Sequence, residues 1–164
     1  MHTQTKQPVG ERFVASEWWN ANRPETLVVC CSDGRWHAQV EEFVRTAVSE
    51  RADLYAVPGG PAGFNLWSSS FEEARVAEKA FRFLAERHEL ESIWLIAHED
   101  CAYYHDRYGP LDEPYIYRRQ LEDLARTAEI IRRWYPRLLV RKVYAFLEDP
   151  HVVFTTLAHA HRSG

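Results

Sequence analysis

Apolar residues alternate along this chain between short runs rich in β-branched residues and longer stretches with helical spacing. The short runs predict five strands, at Thr26–Cys31, Asp53–Val57, Ser92–Ala97, Leu138–Phe146 and Val152–Leu157. Spacings of three and four residues predict helices over 36–50, over Ser68–His88 and along a long segment that ends before Pro136. This order predicts an α/β fold: a single domain with a central, mostly parallel β-sheet flanked by helices and a C-terminal antiparallel edge strand.

The first 25 residues stand apart from this alternation. We expect residues 1–25 to form an N-terminal helical arm and residues 26–164 to form the α/β domain. Within the arm, Glu11 to Asn22 is expected to be a short helix that ends before Pro24. Its neighbouring Trp18 and Trp19 could close the domain's own core or cover a second subunit.

Polar side chains with metal-binding chemistry follow two of the predicted strands. Cys31 ends the first strand, and His98 and Cys101 follow the third. The carboxyl ends of parallel strands meet at one edge of a sheet, so these residues are expected to converge. Two thiolates and one imidazole are the ligand set of a zinc ion that keeps a fourth position open for water. The alternative is that both cysteines are buried structural thiols.

Three further residues of this stretch are interpreted from their positions. Asp33 and Arg35 can form a bidentate ion pair that fixes a carboxylate beside the metal, or a plain salt bridge in the loop. In an alternating strand Cys30 points away from Cys31, which predicts core packing rather than ligation for Cys30.

These two motifs resemble the signature of the β-class carbonic anhydrases, Cys-x-Asp-x-Arg after the first strand and His-x-x-Cys after the third. They stand here as Cys31-Ser32-Asp33-Gly34-Arg35 and His98-Glu99-Asp100-Cys101. The resemblance implies Zn²⁺ on Cys31, His98 and Cys101, with Asp33 and Arg35 as the catalytic pair. It also implies a first helix that reaches across a dimer.

The chain departs from that family at two places. The segment Pro58–Gly63 keeps a glycine at about Gly60 but lacks the arginine and asparagine of the family's loop. The family usually has one or two glycines after the second cysteine, whereas Ala102, Tyr103 and Tyr104 follow here. We expect either that one phenol lines and narrows the cleft or that both tyrosines only pack under the long helix.

Three functions are compatible with this site. The first is a carbonic anhydrase-like zinc lyase, in which a zinc-bound hydroxide hydrates carbon dioxide reversibly to bicarbonate. In that reaction Asp33 would orient the hydroxide and Arg35 would keep Asp33 ionised. The second is a hydrolase of a carbon dioxide analogue, carbonyl sulfide or carbon disulfide. The third is a catalytically idle zinc-binding homologue, in which the Asp33–Arg35 pair would have no purpose.

Composition narrows the partners and the location. The formal net charge of −4 gives no reason to expect nucleic acid, and the arginines of the long helix alternate with acidic residues as on a solvated face. No apolar run approaches the ~20 residues of a membrane span, and the polar start lacks a secretory signal, so we expect a cytoplasmic protein. Three cysteines form no disulfide framework.

The expected partners are a small-molecule substrate and a second copy of the chain, as a homodimer or higher homo-oligomer. His37 and His105 lie near the motifs and are candidates for proton relay.

Overall fold

The central element is a five-stranded sheet, found in a computed structural model that describes residue 10 and residues 13–158. Its strands are β1 (Thr26–Cys31), β2 (Asp53–Val57), β3 (Ser92–His98), β4 (Leu139–Glu148) and β5 (His151–Thr156). In space they follow the order β2-β1-β3-β4-β5. Neighbours among the first four strands pair in parallel, and β5 runs antiparallel to β4 at the edge. The predicted fold class is thus confirmed.

Four α-helices and two shorter turns connect these strands. The helices are α1 (His37–Phe43), α2 (Phe71–His88), α3 (Ala102–Tyr108) and α4 (Glu113–Trp134). A π-helical turn, Val44–Val48, extends α1, and a 3₁₀ turn covers Gly60–Phe64. Helix α2 begins later than predicted because Ser70 caps it: the Ser70 hydroxyl accepts from the Glu73 amide, and the Glu73 carboxylate accepts from the Ser70 amide.

Both faces of the sheet are covered by apolar side chains. On one face Leu27, Val29 and Leu95 pack with Phe81 of α2 and Leu124 of α4. A second buried cluster joins sheet residues to α1, and it contains Val28, Cys30, Trp36, Val40 and Ile96. Strands β1 and β3 are buried along nearly their whole length, as expected for central strands of a parallel sheet. The sheet therefore holds the carboxyl ends of β1 and β3 side by side.

The predicted amino-terminal helix is wrong over the described part of the arm. Residues 13–25 contain no helix, and Phe13, Val14, Trp18 and Trp19 are exposed; the start of the predicted helix at Glu11 lies outside the described residues. An isolated helix of this length is marginal in water unless an apolar face is buried. Within the described part of the chain, the apolar side chains of residues 13–25 are not buried against the domain.

One helix was not predicted. Gly109, Pro110 and Pro114 are typical of a loop, yet the residues directly after Cys101 form α3 as far as Tyr108. The helix ends at Gly109, which has a φ of 73° that glycine adopts without strain. Among the described residues, no helix is both long and apolar enough to cross a membrane.

Candidate metal centre

The three predicted metal ligands converge at the carboxyl edge of the sheet. Cys31 is the last residue of β1, His98 is the last residue of β3, and Cys101 directly precedes α3. Their ligand atoms all lie within 4.8 Å of one another, and the two sulfur atoms are 3.8 Å apart. All three side chains are buried. Neighbouring parallel strands thus bring together residues that are about 70 positions apart in the sequence.

His98 has one ring nitrogen available for a metal. Its Nδ1 lies 2.7 Å from the carbonyl oxygen of Glu99, which can only accept, so Nδ1 carries the proton. Its Nε2 is buried and has no hydrogen-bond partner. An unpartnered imidazole nitrogen beside two thiols fits a tetrahedral zinc site with one open position.

Two residues that the sequence did not single out hold the backbone of His98. The Gln120 amide donates to the carbonyl oxygen of His98 at 2.7 Å, and the Tyr144 hydroxyl donates to Gln120 Oε1 at 3.0 Å. The Trp36 ring lies against the imidazole, with 4.8 Å between ring centroids. Gln120 is 1% exposed, so α4 and β4 fix His98 from within the core.

The thiols differ in how readily they ionise. A hydrogen bond from Cys101, with others from the backbone amides of Asp33 and Gly59, lowers the pKa of Cys31 to about 4. The same bond and burial raise the pKa of Cys101, because the first thiolate disfavours a second one nearby. Burial raises the pKa of Cys30 to about 12, and Cys30 packs in the core as predicted.

Charged side chains form a network in the loop that follows Cys31. Arg35 Nε lies 3.1 and 3.0 Å from the two carboxylate oxygens of Asp33, and its Nη2 lies 2.6 Å from Asp33 Oδ2. The expected bidentate contact is confirmed. The Arg35 side chain holds the pKa of Asp33 at about 2, so this carboxylate stays ionised. Arg35 also contacts Asp100, at 2.8 Å, which sequence reasoning missed.

Backbone approaches the site closely in the glycine-rich turn after β2. Gly59 and Gly60 have φ values of 71° and 52°, where side chains are disfavoured. A Cβ at Gly60 would lie 2.7 Å from the Cys30 carbonyl carbon, and one at Gly59 would lie 2.4 Å from the Tyr103 ring. Glycine at these two positions therefore lets the backbone approach the site closely.

The two tyrosines after Cys101 have different surroundings. Tyr103 lines an open cleft beside the metal ligands, hereafter the cleft, together with Cys31, Asp33, Arg35, Pro58 and His105. Its hydroxyl donates to the Ser68 carbonyl at 2.5 Å, so the ring rather than a free O–H donor borders the cleft. Tyr104 is 2% exposed and donates to Asp123 at 2.8 Å inside the core. The expectation that one phenol lines the cleft is confirmed for Tyr103.

The two candidate relay histidines also differ in position. His105 borders the cleft, and its Nε2 lies 2.9 Å from Glu113 Oε1 and 3.5 Å from Asp100 Oδ1. His37 instead borders a groove near Cys30. Proton relay by either residue remains a prediction, and the position of His105 favours it over His37.

Several solved structures share this fold. The chain superposes on a tetrameric β-carbonic anhydrase of Sordaria macrospora with a TM-score of 0.52, 11% identity and 84% of each chain covered. For a β-carbonic anhydrase of Aspergillus fumigatus the TM-score is 0.52 at 10% identity, over 93% of this chain and 98% of that one. For β-carbonic anhydrase isoform I of Trichomonas vaginalis the values are 0.51 and 14%, over 86% and 87%. At these identities the likeness concerns the fold.

Sequence comparison identifies the family. No curated protein matches the chain. A family model described as "Putative carbonic anhydrase" matches residues 21–152, a range that contains Cys31, Asp33, Arg35, His98 and Cys101. Because that match covers most of the sequence and agrees with the fold, the chain belongs to this carbonic anhydrase family.

Proposed function

We propose that this protein is a zinc-dependent lyase that interconverts carbon dioxide and bicarbonate. The observation that carries the proposal is the buried group of Cys31, His98 and Cys101, whose ligand atoms lie within 4.8 Å of one another. The Nε2 atom of His98 has no hydrogen-bond partner among the described residues, which leaves this nitrogen available to bind a metal ion. Membership of the carbonic anhydrase family supports this reaction class.

The residues around the group have separate tasks. When bound, zinc lowers the pKa of a coordinated water toward neutrality and so makes hydroxide available for attack on carbon dioxide. Asp33, whose pKa of about 2 keeps it ionised at neutral pH, accepts a hydrogen bond from the nucleophile and orients its lone pair toward the substrate. Arg35 keeps Asp33 ionised and in position through the bidentate contact.

The Tyr103 ring takes up part of the cleft. Pro58 and this ring border the cleft, and the ring lies against Gly59. The family usually has glycine after the second cysteine, where this chain has Ala102, Tyr103 and Tyr104. We therefore expect hydration slower than is usual for the family, because the ring fills space beside Cys31 that glycine would leave open.

Metal analysis beside a stopped-flow hydration assay tests this function. Purified protein should contain one zinc per chain and hydrate carbon dioxide, and removal of zinc by a chelator should abolish the activity reversibly. Zinc without hydration activity would contradict the proposal. Hydrolysis of carbonyl sulfide or carbon disulfide by the same sample would then favour the analogue hydrolase, and its absence would favour an idle zinc-binding homologue.

We also propose that the chain forms a homodimer or larger homo-oligomer through its arm. Four apolar side chains of the arm, Phe13, Val14, Trp18 and Trp19, are between 75% and 96% exposed. Leu66 and Trp67, together with Phe71 at the start of α2, form a second exposed apolar group. Apolar surface of this extent is usually covered by another protein surface. The Sordaria macrospora neighbour is tetrameric, which agrees with an assembly in this fold.

Deletion of the residues before Pro24 tests the assembly. If the arm covers a partner, the truncated chain should sediment as a monomer or aggregate, whereas the full chain should be a dimer or larger. A Trp18→Ser and Trp19→Ser double variant, which keeps the chain length, should weaken the assembly in the same direction. A truncated chain that remains a soluble dimer would contradict this role of the arm.

A further inference from the structure

Asp100 occupies the turn between two of the candidate ligands, His98 and Cys101. Its backbone is left-handed, with a φ of 50°, a conformation that aspartate and asparagine tolerate better than most side chains. From there its carboxylate Oδ2 accepts from Arg35 Nη1 at 2.8 Å, and its carbonyl oxygen accepts from Arg35 Nη2 at 3.0 Å. The same guanidinium binds Asp33 in the loop after Cys31.

Arg35 therefore joins the two segments that carry the thiol ligands. One is the loop after β1, which follows Cys31; the other is the turn that ends at Cys101. Within the described residues, two other side-chain contacts join these segments: the two sulfur atoms lie 3.8 Å apart, and the Trp36 ring lies against the His98 ring. A planar guanidinium with five donors in fixed directions holds two carboxylates at a defined separation, which an isolated pair would not.

The contact is exposed, which limits what it can do by charge alone. The side chains of Arg35 and Asp100 are 58% and 59% exposed, and exposed ion pairs contribute little to stability. The Arg35–Asp100 contact can contribute more by fixing the distance between Cys31 and Cys101 than by its charges. A change of a few tenths of an ångström in that distance alters tetrahedral coordination. Groups that orient ligands without touching the metal typically change metal affinity or activity by about 10- to 100-fold.

We propose that Asp100 is a positioning residue of the metal centre. By fixing Arg35 across the two segments, it holds Cys31 and Cys101 at a spacing that favours zinc, and so it increases zinc affinity. This inference rests on the proposed zinc site. It concerns binding of the metal rather than hydration, so the two can fail separately.

The alternative is that Asp100 raises zinc affinity only through its negative charge. A carboxylate near a cation raises the affinity for that cation wherever the carboxylate points, and an arginine lowers it. On that account Arg35→Gln should strengthen zinc binding, and its effect should add to that of Asp100→Asn. On the positioning account Arg35→Gln should weaken zinc binding, and the second substitution should then change little.

Zinc affinity is the measurement, by competition with a chromophoric chelator at one fixed pH. Asp100→Asn keeps the left-handed backbone acceptable while it removes the charge, and Asp100→Gly removes the side chain without conflict at positive φ. We expect Asp100→Gly to weaken zinc binding about tenfold and Asp100→Asn by less. Asp106→Asn, an exposed residue of α3 that has the same change in charge, is the matched control and should bind zinc as the wild type does.

Cobalt binding and thermal unfolding complete the test. The absorption spectrum of bound Co²⁺ reports thiolate coordination, and in Asp100→Gly its bands should change in position or intensity. The metal-free variant should unfold at the same temperature as the metal-free wild type, which shows that the fold itself is intact. Wild-type zinc affinity in both Asp100 variants would overturn the proposal. Additive effects of Arg35→Gln and Asp100→Asn, with tighter binding in the former, would overturn it as well. If zinc binds as expected but carbon dioxide is not hydrated, the proposed function fails and this inference stands.

Discussion

The cleft beside Cys31 and the core around it contain the same three residue types in different surroundings. Cys31, Asp33 and Tyr103 border the cleft, whereas Cys30, Asp123 and Tyr104 lie in the core. In each pair, burial and hydrogen bonding decide what the side chain can do. The pKa of Asp33 is lowered by Arg35, and the pKa of Asp123 is raised by burial. Residue type alone therefore does not identify the chemically active member of a pair.

The cysteine pair should give the largest contrast. Cys31→Ser should lose zinc and hydration activity and should lower the unfolding temperature of the zinc-loaded protein, since metal binding is linked to folding. His98→Ala and Cys101→Ala should behave in the same way. Cys30→Ser should keep one zinc per chain and lose about 1–3 kcal/mol of stability, because a hydroxyl is buried among apolar groups. Zinc content and calorimetry on the same samples decide; stoichiometric zinc in Cys101→Ala would contradict the ligand assignment.

The aspartate pair should separate activity from stability. Asp33→Asn should keep zinc and lose activity by about 10²-fold, because the nucleophile is no longer held in the productive orientation. Asp123→Ala leaves the Tyr104 hydroxyl without its acceptor, so it should cost about 1–3 kcal/mol of unfolding free energy and leave hydration nearly unchanged. Stopped-flow rates and denaturant titrations measure the two effects. Undiminished activity in Asp33→Asn would remove Asp33 from the mechanism.

The same two carboxyl groups should give opposite pH dependence of stability. The folded-state pKa of Asp33 is lowered from 3.8 to about 2, so its contribution is present above 3.8 and is lost as the pH falls toward 2. The folded-state pKa of Asp123 is raised, so the protein loses stability as the pH rises above 3.8 toward that raised pKa. Unfolding free energies of zinc-free protein across this range should increase less steeply with pH in Asp33→Asn and more steeply in Asp123→Asn. Equal slopes in both variants would contradict the assigned environments.

The tyrosine pair should give the smallest contrast. Tyr103→Ala removes a ring from the cleft and should raise kcat/KM for hydration, by less than about tenfold, because access to the site changes while the chemical step does not. Tyr104→Phe should leave the kinetics unchanged and destabilise the protein by about 1–3 kcal/mol, because it leaves a buried carboxylate oxygen unpaired. Unchanged kinetics in both variants, with zinc content verified, would reduce Tyr103 to a packing residue.

The strands and the ligand motifs could be predicted because their signals are local. The β-branched runs that end at Cys31 and before His98 specify buried parallel strands, and such strands place their carboxyl ends together. The arm could not be predicted in this way. The stop before Pro24 and the apolar residues ahead of it favour a short helix, but helix formation depends on a surface that buries those residues, and residues 13–25 have none within the described chain.

By itself the sequence determined the parallel α/β order, the group Cys31, His98 and Cys101, and the pairing of Asp33 with Arg35, since each follows from strand periodicity or from a fixed short spacing. Only the tertiary structure decided which neighbours complete the site. Asp100 reaches Arg35 through a left-handed turn, and Gln120 reaches the His98 backbone from a helix 22 residues away. The split between Tyr103 and Tyr104 depends on the rotation of a helix that was not predicted. Contacts between distant segments depend on how the side chains pack in three dimensions, and local sequence patterns do not specify which side chains will meet.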